Sequence, residues 1–140
     1  MITGCLKWLT IAGLAAGFAG AAEAQPSDIG RSEFLSSCAS CHGADGKGKG
    51  PVGEQLKVPP SDLTILAKNN NGVFPTNAVY ETIYGSKTVP AHGTREMPIW
   101  GQDYRAKAGA YYLDVPYDPE VYVRTRILSL VEYLNRLQVK

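Results

Sequence analysis

Cysteine is scarce in this chain: there are three in 140 residues, with two histidines and two methionines. So few thiols exclude a disulfide-stapled scaffold, which needs several pairs. An excess of charge of one sign is also missing. Fourteen Lys and Arg stand against 13 Asp and Glu, so no global basic field draws nucleic acid. No run of alternating residues is long enough to predict a strand, and there is no internal repeat, low-complexity tract or domain linker. Only one long apolar run exists, from Trp8 to Ala22. It falls short of the roughly twenty residues a bilayer span needs.

That run has the marks of an export signal. Lys7 precedes it, and Ala22-Glu23-Ala24 follows as a small-x-small cleavage site, with Gln25 as the new start. Residues 1–24 are therefore expected to be a signal peptide and residues 25–140 one domain. A single cation is a thin positive region, so an uncleaved N-terminal anchor stands as the alternative. The remainder predicts a periplasmic domain without a membrane span.

Cleavage would remove Cys5, leaving Cys38 and Cys41 with His42 directly after them. A disulfide across two intervening residues closes a very small ring and constrains the unfolded chain little. The pair therefore points to chemistry. Cys38-Ala39-Ser40-Cys41-His42 is the attachment pattern for a c-type haem. Two thiols must add to two vinyl groups on one porphyrin edge, and two intervening residues let a helix end present both. His42 then lies beneath the macrocycle with a nitrogen for iron. A thioredoxin-like dithiol expects a strand before the motif and a long helix after it, whereas here a helix comes first. A zinc site would draw on Cys38, Cys41, His42 and His92, but adjacent Cys41 and His42 make awkward joint ligands.

An electron-carrying haem iron needs a sixth ligand, since an open position invites small molecules. Beyond the leader the chain has one methionine, Met97, and one further histidine, His92. Met97 precedes Pro98, which biases it toward extended backbone and suits a loop that projects a thioether. Met97 is the expected ligand and His92 its competitor.

Around the motif the pattern is helical. A helix over 25–41 is expected, capped by Ser27 or Asp28, with Gly30, Phe34 and Cys38 on one face. A glycine- and lysine-rich loop follows over 43–60. Short helices are expected over 61–68, up to the Asn69–Gly72 turn, and from a capping Thr76 to Gly85. Residues 86–118 read as mostly irregular, with one helical turn near 102–108. The last helix is capped by Asp118 with Pro119 at its first position, and Ile127, Leu130, Val131, Leu134 and Leu137 form its apolar stripe.

Three separated blocks together resemble the bacterial class I monohaem cytochromes c over residues 27–138. They are Gly30-x-x-x-Phe34-x-x-x-Cys38-x-x-Cys41-His42, Met97-Pro98-x-Trp100-Gly101, and Leu130-x-x-Tyr133-Leu134. The resemblance implies an all-α, small cytochrome c fold: three to five helices wrapped around one covalently bound haem c. It implies that the first and last helices cross at Gly30, beside Phe34 and Tyr133. It also implies that a proline carbonyl, here that of Pro51, accepts the N–H of His42. The segment from Gly101 to the last helix is longer than such a protein needs. It carries Tyr104, Tyr111, Tyr112 and Tyr117, which either cover the haem or a partner surface, or else pack a small core.

The expected role is single-electron transfer, with Cys38 and Cys41 bonding the haem and His42 and Met97 ligating its iron. The protein is expected not to be an enzyme. Its partners would be redox proteins, with a quinol-oxidising complex or dehydrogenase as donor and a terminal oxidase as acceptor. A tightly held subunit of a periplasmic dehydrogenase is the second reading, and a haem sensor or peroxidase with a labile Met97 is the third. Lys47, Lys49 and Lys57 either ring the docking edge or only solvate a loop.

Overall fold

The computed structural model describes residues 28–86, 97–112 and 118–139. The expected leader, His92 and Tyr117 lie outside them. The described residues are mostly helical and contain no strand, which places the chain in the all-α class. None of their helices is long and apolar enough to cross a membrane.

The first helical stretch has three parts: α1 (Ile29–Glu33), a π turn (Phe34–Cys38) and α2 (Ala39–His42). Asp28 caps α1, its carboxylate accepting from the Arg31 amide at 2.9 Å and from Arg136 at 2.7 Å; Ser27, the other candidate, lies outside the described residues. The amide bond above all, and then Arg136, holds the Asp28 carboxyl below its ordinary 3.8. A depressed folded-state value means that the cap's contribution is complete above pH 3.8 and is lost as acid carries the pH through that lower value. Wild type and Asp28→Asn should therefore differ in urea stability by a constant amount above pH 3.8, with the gap closing in stronger acid.

Three more helices follow, α3 (Thr76–Tyr84), α4 (Trp100–Tyr111) and α5 (Pro119–Arg136). Asp118 caps α5 through the Glu120 amide, with Pro119 at the start, as the sequence predicts. Gly85 ends α3 at φ 92°, its N–H bonded to the Glu81 carbonyl. Thr76, expected to be a cap, is instead the first helical residue, and the preceding Pro75 makes no side-chain cap.

Helix α5 is the spine, with α1, α3 and α4 all packed on it. Val123, Ile127, Leu130, Val131 and Leu134 are buried along it, and Leu137 is partly buried at its end. At the α1–α5 crossing the backbones nearly touch. A Cβ on Gly30 would overlap the Ser129 carbonyl oxygen and lie 2.9 Å from the Tyr133 Cβ. Phe34 and Tyr133 pack beside it with ring centroids 5.3 Å apart.

Two expectations are corrected. Residues 61–68 form no α-helix; they make a 3-10 turn (Leu63–Ile65), and a second follows at Lys68–Asn70. In an α-helix the Ala67 N–H would bond the Leu63 carbonyl. Here the Gln138 side-chain amide stands between them, accepting from Ala67 at 2.9 Å and donating to Leu63 at 2.7 Å. Within the stretch read as mostly irregular, α4 is a full helix of 12 residues. Its inner side carries Gly101, Tyr104 and Ala108, all buried.

Candidate haem-attachment site

The motif lies where the first helical stretch ends. Ala39 donates its N–H to the Phe34 carbonyl, closing the wide π turn that delivers Cys38 to the core. At Gly43 the chain turns out of α2 with φ 78°, which a side chain would disfavour. The loop then folds back beneath the motif. Gly48 donates to His42 and Gly50 to Cys41 through backbone bonds of 2.7 and 3.0 Å. A Cβ on Gly50 would stand 2.6 Å from the Ala39 carbonyl. Glycine at 46, 48 and 50 is buried while Lys47 and Lys49 between them point to solvent, and Lys57 is exposed as well.

Two adjoining clefts open at the motif. The larger, about 230 Å³, has Phe34, Leu63, Val79 and Leu130 in its wall; the smaller, about 50 Å³, has Cys41 and Trp100. Cys38, His42 and Met97 line both. Residues 55 positions apart in sequence, His42 and Met97, thus face a common space. Lys47, Lys49, Lys57 and Pro51 lie outside these walls.

The carbonyl beside the imidazole is not the expected one. His42 Nδ1 lies 3.1 Å from the Ser61 carbonyl oxygen. The Pro51 carbonyl instead accepts from the Gln55 amide at 3.3 Å. The Pro51 turn is tied to α2 and closed on itself, with Val52 bonding back to Ser40, Glu54 to Gly50 and Gln55 to Val52. Ser61 begins the segment pinned by Gln138, with Asp62 accepting from the Thr64 amide at 2.8 Å.

Both thiols are free. Burial, helped by the Glu33 carboxylate, pushes the Cys38 thiol up to about 12. At neutral pH it is therefore a thiol, unlike the low-pKa nucleophile of a dithiol oxidoreductase. No three His, Cys, Asp or Glu side chains converge as a metal cluster among the described residues.

Sequence reasoning missed the groups behind the site. Glu33 accepts from Arg126 at 2.8 Å and from the Tyr104 hydroxyl at 3.0 Å. Burial and then Glu33 push the Tyr104 hydroxyl above its ordinary value, so it stays a donor. A usable signal existed: Glu33 and Arg126 each adjoin a buried apolar residue, where an unpaired charge is costly. Among the four tyrosines of the long segment, Tyr104 is core, whereas Tyr111 is 69% exposed and clusters with Tyr112 and Tyr122.

No protein-family model matches this chain, and neither a curated protein nor a solved structure matches it.

Proposed function

We propose that this protein is an exported, periplasmic single-electron carrier with one haem c bonded to Cys38 and Cys41. His42 and Met97 would hold its iron. The observation that carries the reading is that both ligands and Cys38 line one largely apolar space at the end of the motif helix. The donor set fits the group: two thiols for the vinyl edge, an imidazole and a thioether for iron.

When bound, the haem supplies the one-electron couple; the chain supplies its surroundings. The Ser61 carbonyl orients the His42 ring. The Met97 thioether, soft and neutral, would favour ferrous iron and so raise the potential. Phe34, Leu63 and Leu130 keep water from the cleft, and low polarity disfavours the more highly charged ferric state. Lys47, Lys49 and Lys57 put positive charge on the loop after the motif, which suits an acidic redox partner and a salt-sensitive encounter. A quinol-oxidising complex or dehydrogenase is the donor and a terminal oxidase the acceptor.

The test is an optical spectrum of protein made in a host with haem-attachment machinery. The pigment should stay with the protein in acidified organic solvent. The oxidised form should show the weak far-red band of a sulfur–iron bond, and Met97→Ala should remove it completely and lower the potential. Colourless protein, or pigment that extracts, would overturn the haem reading. Size exclusion of native extract distinguishes a carrier, running near its own mass, from a subunit running with its enzyme.

A further inference from the structure

Met97 stands three residues before α4, and nothing in its own sequence fixes how firmly α4 holds it against the motif. The answer lies at one carboxylate. Glu33, at the end of α1, is met by α4 through Tyr104 and by α5 through Arg126. Tyr104 is only 1% exposed, and the Glu33 side chain 17%. One turn before Tyr104, Trp100 packs on it with ring centroids 6.1 Å apart and lines the smaller cleft beside Met97. Polar contact thus runs from the motif helix through Glu33 to Tyr104, and packing runs from there through Trp100 to the cleft.

We propose that Glu33 is a positioning residue that locks α4, and with it Met97, against the haem-bearing helix through its hydrogen bond from Tyr104. The inference rests on the ligand reading above. It draws on two features of the node. The Tyr104 hydroxyl is buried, and burial and then Glu33 push its pKa up, which favours the donor form. The Glu33 carboxylate, mostly removed from water, loses a partner it cannot readily replace if α4 withdraws. Arg126 holds the other oxygen and fixes the carboxylate against α5, so the pull of Tyr104 acts on a rigid anchor. Arg126 also stacks over Tyr122, 4.9 Å from its ring centroid, which holds the guanidinium itself.

The experiment uses the haem-loaded full chain and reads displacement of Met97 by added imidazole, followed as loss of the far-red band. Tyr104→Phe keeps the ring and removes only the hydroxyl. It should bind imidazole about tenfold more tightly than wild type, because a hydrogen bond to a charged group no longer resists release of Met97. Glu33→Gln keeps shape and an acceptor but loses charge, and should fall between the two; it also serves if Tyr104→Phe does not fold. Asp28→Ala weakens the far end of the same helix and should leave imidazole affinity within about twofold, which separates positioning from general destabilisation. Unchanged affinity in Tyr104→Phe with the band present overturns this inference alone, as does an equal gain in Asp28→Ala. A wild type without the band overturns the Met97 reading and this inference with it.

Discussion

Gly30→Ala should destabilise the folded protein by roughly 2–3 kcal/mol, despite adding a better helix former. Two terms compete. Alanine gains about 1 kcal/mol over glycine in a helix interior. Against this, the new methyl would overlap the Ser129 carbonyl oxygen and sit 2.8 Å from the carbonyl carbon. Those are backbone atoms of α5, so no side-chain rotation relieves the overlap; the two helices must part. Parting them loosens Phe34 against Tyr133 and opens the face where Ile127 and Leu130 are buried. Overpacking of a dense interior typically costs 1–3 kcal/mol, sometimes more, and this contact is with backbone. Urea denaturation should show a lower midpoint with an unchanged slope. An alanine variant as stable as wild type would mean that the crossing does not depend on the missing side chain.

Phe34→Ala is expected to cost about 4 kcal/mol, a large share of the roughly 5–15 kcal/mol that holds a small domain folded. Phe34 is 0% exposed, so its whole side chain leaves a hole. It touches Tyr133 in a tilted pair, which adds to the loss. The hole joins the cavity that Phe34 helps to line, so neighbours cannot collapse around it without narrowing the proposed haem space. Phe34→Leu leaves most of the volume and should recover more than half of the loss. Denaturation of both variants, with and without haem, checks this. A loss below about 1 kcal/mol in Phe34→Ala would show that the first helix is not anchored there.

The sequence made some of this structure legible and hid the rest for a physical reason. Several local signals held, although Thr76 does not cap α3. Asp118-Pro119 began α5, Gly85 ended α3, and the apolar stripe on α5 was buried. The crossing at Gly30, which the resemblance implied, is present, and His42 and Met97 line one cavity. What stayed hidden was set by groups distant in sequence. Gln138 occupies the Leu63–Ala67 helix bond across more than seventy positions, and a propensity reading of 61–68 cannot see it. The choice of Ser61 over Pro51 beside His42 depends on the same pinned segment. Helix α4 was underestimated because its buried residues include a glycine and an alanine, which give a weak apolar pattern. The Glu33 node joins three helices, and no single stretch announces it.

The π turn from Phe34 to Cys38 has a consequence for how much chain separates the crossing from the thiols. Along a regular α-helix each residue turns by about 100°, so positions four apart drift steadily round the axis. A wider turn slows that drift and keeps Gly30, Phe34 and Cys38 aimed inward together. The spacer between crossing and thiols thus holds one residue more than a uniform coil would use. A substitution at its exposed Ser36 leaves the aim unchanged, whereas shortening the turn by a single residue would swing the sulfurs aside while every backbone bond could still close.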